Sequence, residues 1–230
     1  TGAPGGEPVR VGSSVADLSA ALFGVIGILA AWAKAKETGV GQHVDIAMLD
    51  CQVALLENAV ARYFVNDEVP GPLGSRHPAI TPFQFFAAAD GYIVIAAGND
   101  GLWGKLCVEL GLDELLDDER FIDNARRTAN HGELEPLLAA ELSVRSVDDW
   151  CQTLGGAGIP CGPIHDIGQV CADPQVAARE MIVELEHPRA GLQQMPNSPL
   201  KFSQTPVKVE RPSPLLGQHT QQVLQEWLAL

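Results

Sequence analysis

Asp17 is the residue with the most direct route to chemistry. It stands immediately ahead of an uncharged run from Leu18 to Ala33. Ser13 and Ser14, just before it, are residue types that start helices. Its carboxylate therefore falls in the first turn of a helix, where aligned peptide dipoles favour a negative charge by about 0.3–1 kcal/mol. A carboxylate held in place can act as a nucleophile toward an activated carbonyl. First-turn aspartates also serve simply as favourable helix charges, so position alone leaves both readings open. Ala20, Ala21, Gly24, Gly27 and Ala31 make the helix below it narrow on one face. Each interior glycine costs roughly 1 kcal/mol relative to alanine, so two of them imply that something approaches that face closely.

The other reactive types are dispersed. His131, His165, His187 and His219 show no metal-ligand spacing such as H-x-x-x-H, and no metal is expected. The five cysteines (51, 107, 151, 161 and 171) are odd in number and contain no C-x-x-C pair. That pattern fits reduced thiols in a cytoplasmic protein. Cys51 reads as a small buried hydrophobe, Trp32 and Trp227 as core residues, and Asp45, Asp50 and Glu57 as structural or solvated acids.

The elements that must carry these residues follow from pattern. A helix is expected from Val15 to Lys36, stopped by Thr38-Gly39. His43 to Met48 alternates like a strand, and a second helix covers Leu49 to Phe64. Asn66 to Pro82, with four prolines and two glycines, is too broken for either element. A loop of this length serves a function or joins domains. Phe83–Ala88 and Tyr92–Ala97 flank Asp90-Gly91 and read as a hairpin. Helical patterns follow at 102–110, 120–129, 133–142 and 147–154. Short strands are expected at Ile182–Leu185 and Leu200–Ser203, and an amphipathic helix at Thr220–Leu228. The mixture is an α/β signature.

Bulk properties exclude some classes. A length of 230 residues suffices for one large or two modest domains. A net charge of −14 argues against nucleic acid as the main partner, although a few placed cations can still hold one anionic cofactor. Leu18–Ala33 would span about 24 Å as a helix, against a hydrocarbon thickness of roughly 30 Å, so a buried soluble helix and no membrane role are expected. Thr1–Gly12, rich in glycine and proline, resembles a connection inside a longer chain.

Val11 to Asp50 resembles the core signature of the family III coenzyme A transferases, the CaiB/BaiF group that includes formyl-CoA transferase, carnitine CoA-transferase and 2-methylacyl-CoA racemase. The matching pieces are Asp17, Gly27-Ile-Leu-Ala-Ala31 and Glu37-Thr-Gly-Val-Gly-Gln-His-Val-Asp45. The likeness continues through Ile80–Asp100, Ala172–Ile182 and Pro214–Leu224, covering nearly the whole chain in order.

The resemblance implies an α/β architecture: part of a doubly wound nucleotide-binding large domain plus an inserted small α+β domain, in an interlocked homodimer. Residues 1–65 would supply the catalytic helix and strand of the large domain, 66–82 a linker and active-site loop, 83–179 the small domain, and 180–230 the return to the large one. A nucleotide-binding half would precede Thr1, so that this piece could also be a non-catalytic subunit awaiting that half. The implied substrates are acyl-CoA and a small carboxylic acid. Asp17 would attack the thioester, giving an anhydride and then an aspartyl-CoA thioester.

The family's glycine-rich active-site loop corresponds to Gly71–Pro78, here stiffer and more polar. Gly74, Ser75, Arg76 and His77 are the implied substrate-binding residues, with Arg76 able to grip a carboxylate bidentately. The competing reaction within the family is racemisation, whose acid position falls on Asp100. The surrounding Ala97-Gly-Asn-Asp-Gly101 looks transferase-like, so Asp100 stands as a candidate second acid only.

Overall fold

A computed structural model describes residues 1–228, which divide into two compact units, one over Thr1–Pro163 and one from Ile164 onward. The first unit opens with α1 (Val15–Thr38), ended by Gly39 in the left-handed conformation at φ 73°. Its amide donates to Ala35 O at 2.8 Å, closing the last turn. Ser14 occupies the N-cap position, but its side chain makes no capping bond, so the expected serine cap is not formed. Two further helices follow, α2 (Met48–Ala54) and α3 (Glu57–Asn66). The single helix expected over Leu49–Phe64 is thus broken at Leu55-Leu56.

The strand expected at His43–Met48 is not formed: residues 43–47 pair with no strand, and Met48 already opens α2. A strand needs a ladder partner, and this segment lies instead against α1. A Cβ added at Gly27 would sit 3.0 Å from Val44 Cγ1 and 3.5 Å from Ile46 Cδ1. The close approach implied by the helix glycines is therefore realised at Gly27, and it is the alternating segment that makes it. At Gly24 nothing lies within 4 Å.

The remainder of the first unit is an antiparallel sheet covered by helices. Strands β1 (Phe83–Ala87) and β2 (Tyr92–Ala96) form the expected hairpin, with Phe85 opposite Val94. The short strand β3 (Cys161–Pro163) pairs with β2, giving the order β1-β2-β3. Alternation puts Phe86, Ile93 and Ile95 inside. There they meet α4 (Asp100–Leu110), α6 (His131–Leu142) and α7 (Val147–Gly156) through Trp103, Leu106, Leu134, Leu138, Leu142, Trp150 and Leu154. A 3₁₀ turn (Asp113–Leu116) and α5 (Asn124–Ala129) complete this α+β layer. Asn99, Asp123 and Ser146 cap α4, α5 and α7 by accepting from Leu102 N, Arg126 N and Asp149 N.

The second unit holds α8 (Ile167–Ala172), α9 (Pro174–Ala178), the hairpin β4 (Ile182–His187) with β5 (Gly191–Pro196), and α10 (Thr220–Leu228). Asp166 forms a capping box with Gln169, and Asp173 caps α9 with Pro174 at its first position. The strand expected at Leu200–Ser203 is absent, because β4 finds its partner immediately after the tight turn at residues 188–190. Both sheets are antiparallel, so the described residues contain no doubly wound parallel sheet. Trp32 and Trp227 are exposed rather than in the core, whereas Cys51 is buried as expected.

Helix α1 differs most from its expected burial. Leu22, Ile26 and Leu29 are 66%, 62% and 56% exposed, and Ser19 is its only buried residue. By length and composition it could cross a membrane. A helix apolar all round needs a cover on its open faces.

Candidate active site

Asp17 lies in the first turn of α1 with its side chain exposed. Two residues on, Ser19 anchors that turn. Its hydroxyl donates to Ala16 O at 3.1 Å and accepts from Gln52 Nε2 at 2.7 Å. The start of α1 is thereby tied to α2, beside the buried Cys51. Next to this contact is a cavity of about 200 Å³ lined by Phe23, Asp45, Ile46, Ala47, Asp50, Cys51 and Ala54. Sequence pattern gave no sign of the Ser19–Gln52 clamp, because the two residues belong to different helices.

The loop residues form a second cluster. The Leu73–Arg76 turn is closed by Arg76 N donating to Leu73 O at 3.4 Å, with Gly74 at φ +67°. Gly74 N donates to Gly2 O at 2.9 Å, and Ser75 Oγ accepts from Phe85 N at 3.4 Å. His77 is held separately. Its ring stacks on Phe83 at 5.5 Å, its amide donates to Phe83 O at 2.8 Å, and its Nδ1 accepts from Ala79 N at 3.1 Å. With Nδ1 accepting, the proton of the neutral ring is on Nε2.

Gly74, Ser75 and Arg76 together line a cavity of about 450 Å³, with Pro4, Leu73, Gln84, Phe85, His131, Gly132 and Glu135. Neither His77 nor Asp17 is among its lining residues. The polar floor is a chain of bonds that sequence reasoning missed. Gln84 Nε2 donates to Glu135 Oε1 at 2.9 Å, while Gln84 Oε1 meets His131 Nε2. Because Gln84 Oε1 only accepts, His131 Nε2 carries the proton. Burial first, then the nearby Arg76 guanidinium, holds His131 below the ordinary histidine range, with Glu135 pulling the other way. The sequence hints available were the alternation that places Gln84 inward on β1 and the i, i+4 spacing of His131 and Glu135.

Asp100 is placed elsewhere. It is the first residue of α4, and its Oδ1 accepts from Arg127 Nη2 at 2.6 Å. Arg127 is fully buried and also donates to Thr81 O and Phe121 O, both at 2.9 Å. The carboxylate at the candidate acid position is thus engaged as the counter-ion of a buried guanidinium. Among the described residues, no group of three or more His, Cys, Asp or Glu side chains is arranged to hold a metal ion.

Residues 1–220 match the model of CoA-transferase family III. The chain belongs to that family. It is 39% identical over 226 residues to a succinate–glutarate CoA-transferase of Agrobacterium fabrum, covering 98% of this chain and 56% of that protein. It is 35% identical to the human succinyl-CoA:glutarate CoA-transferase, covering 99% of this chain and 52% of that one. The chain therefore spans about half the length of the curated relatives it matches. A CaiB/BaiF family protein from Brucella suis superposes with a TM-score of 0.81 at 37% identity, over 98% of this chain and 58% of that structure. The mixed α/β fold of this family III chain is thus that of solved family members.

Proposed function

We propose that this chain is the catalytic portion of a cytoplasmic acyl-CoA:carboxylate CoA-transferase in which Asp17 is the nucleophile. The observation that carries the reading is the exposed Asp17 carboxylate in the first turn of α1, anchored through Ser19 and Gln52 within the family-matched span. The similarity to a succinate–glutarate CoA-transferase and a succinyl-CoA:glutarate CoA-transferase supports a small dicarboxylic acid as one substrate. The open apolar faces of α1 support a large domain completed by further chain, with a homodimer as the working form.

The chemistry then runs in balanced steps. An Asp17 oxygen bonds to the thioester carbonyl carbon, the C–S bond breaks, and coenzyme A leaves as thiolate from an acyl-aspartyl anhydride. The thiolate attacks the aspartyl carbonyl, the anhydride C–O bond breaks, and the donor acid leaves as carboxylate. The resulting aspartyl-CoA thioester passes CoA to the acceptor by the same two steps reversed. A carboxylate suits this role because its anhydride and thioester are similarly activated, dividing one difficult exchange into easier ones. Water must be kept out, since it hydrolyses both intermediates.

The Asp100–Arg127 pair weighs against the racemase alternative, which needs a free second acid for proton exchange. Hydroxylamine trapping of the full-length protein treated with acyl-CoA tests the transfer reading. Label at Asp17 is expected, and an active enzyme unlabelled there overturns it. Deuterium exchange alpha to the thioester, without transfer, would favour racemisation.

A further inference from the structure

We propose that Gln52 is a positioning residue for the reaction at Asp17: acting through Ser19, it fixes the peptide unit that leads into Asp17 and so holds the carboxylate in line for attack. The inference rests on the reading of Asp17 as nucleophile and adds what keeps that nucleophile in place.

The start of α1 lacks the usual sources of order. First-turn amides have no intrahelical acceptor, and a polar side chain at the N-cap ordinarily satisfies one of them. Ser14 stands at that position with its side chain unbonded. Val15, Asp17 and Leu18 are exposed, so packing does little to hold the turn. A frayed turn would spread the carboxylate over many orientations, whereas attack needs the reacting atoms aligned at roughly 3–3.5 Å.

A chain of two bonds supplies what the cap does not. Gln52 Nε2 donates to Ser19 Oγ at 2.7 Å, and that hydroxyl donates its own proton to Ala16 O at 3.1 Å. Ala16 O belongs to the planar peptide unit whose nitrogen is that of Asp17, so the chain ends on the plane that orients the Asp17 backbone. With its one proton given to Ala16, Ser19 is purely an acceptor toward Gln52, and the two bonds polarise each other. Ser19 is 7% exposed, while Leu18 and Leu22 are 58% and 66% exposed. Burying a hydroxyl where leucines are left open is unfavourable unless that hydroxyl is bonded.

The far end of the chain is firmly based. Cys51, beside Gln52, is buried, and its amide donates to Ala47 O at 3.1 Å at the start of α2. About two turns along α1 from Ser19, roughly 12 Å, the narrow side of Gly27 receives Val44 and Ile46. That apolar contact sets the separation of the segments, and the polar one sets the rotation of the first turn. Asp17 lies about 200° around the helix from Ser19, so the clamp grips the back of the turn and leaves the carboxylate open at the front.

The test uses the full-length protein with succinyl-CoA, reading single-turnover release of the CoA thiol as the rate of attack by Asp17. Gln52→Leu should slow release roughly 10- to 100-fold at saturating thioester, with KM changed by less than about twofold, because the thioester still binds but meets a disordered carboxylate. Ser19→Ala should lose a similar factor. The double variant should be no slower than the worse single one, since the two side chains act as one chain. Gln52→Glu keeps the shape of the side chain but has no donor when ionised; it should lose rate as Gln52→Leu does, and it carries the test if the leucine variant does not fold. Independently of turnover, amide exchange at Leu18 should quicken in each variant while that at Leu138 in α6 keeps the parent rate. Parent-like thiol release from a folded Gln52 variant, losses that multiply in the double variant, or unchanged exchange at Leu18 overturns the proposal and leaves Asp17 as nucleophile. An active parent enzyme that carries no label at Asp17 overturns both.

Discussion

The guanidinium of Arg127, with no solvent exposure, lies 2.6 Å from the carboxylate of Asp100, which is 64% exposed. The pair joins α5 to the first turn of α4, and Arg127 adds bonds to Thr81 O and Phe121 O and a position 5.1 Å over the Trp103 ring. Arg127→Met should destabilise the protein by about 3–5 kcal/mol, because two buried carbonyls and one carboxylate lose their donor. Asp100→Asn should cost only about 1–2 kcal/mol, since the amide oxygen can still accept and water reaches that side. Urea unfolding of both variants checks the asymmetry, and equal losses would contradict it.

Asp17 should separate activity from stability. In the full-length protein Asp17→Asn is expected to lower transfer by on the order of 10³-fold or more, as for other covalent nucleophiles. The exposed position limits the structural cost to the helix-dipole contribution, about 0.3–1 kcal/mol. Steady-state assays beside thermal melts decide it, and retained turnover refutes the nucleophile assignment.

His131 should make stability fall on mild acidification. Its pKa is lower folded than unfolded, through burial and Arg76. Between the two values the unfolded chain binds more protons, so stability rises with pH there. The contribution is complete above the ordinary histidine value near 6.5 and is lost as pH falls toward the lower, folded value. Urea midpoints from pH 7.5 downward should show this slope, and His131→Gln should flatten it.

Helix α1 offers a local check on packing. Gly24→Ala should stabilise this chain by up to about 1 kcal/mol through helix propensity, as nothing crowds the added methyl. Gly27→Ala should gain less, because its Cβ would press on Val44 Cγ1 at 3.0 Å, and Gly27→Val should be destabilising. Calorimetric melting of the three variants would rank them, and a stabilising Gly27→Val would contradict the contact.

The thiols should differ in reactivity. Burial pushes Cys107 up to about 12 and Cys151 up to about 11, and raises Cys161 as well. Cys51 is buried and Cys171 exposed. Since the thiolate is the reactive form, an aromatic disulfide reagent at pH 8 should find one fast thiol, Cys171, in the native chain and all five in urea. A second fast thiol in native protein would contradict the burial order.

What could be read from the residues in order is local. The long run after Asp17 and the Gly39 stop define α1, the alternation around Asp90-Gly91 defines the β1–β2 hairpin, and the motifs from Asp17 to Asp45 identify the family. Each depends on a residue and its near neighbours. His43–Met48 and Leu200–Ser203 show the limit. Both carry strand-like patterns, yet a strand exists only where another edge arrives to pair with it.

The site belongs to the second kind. Ser19 meets Gln52 across 33 residues, Asp100 meets Arg127 across 27, and Gln84 joins His131 and Glu135 across 47 and 51. No periodicity encodes such meetings. The packing of α6 on β1 brings Gln84, His131 and Glu135 together beside Arg76, which forms no ion pair among the described residues. Local propensity made the elements; only the return of the chain on itself decided which polar groups would satisfy one another and which charge would be left facing open space.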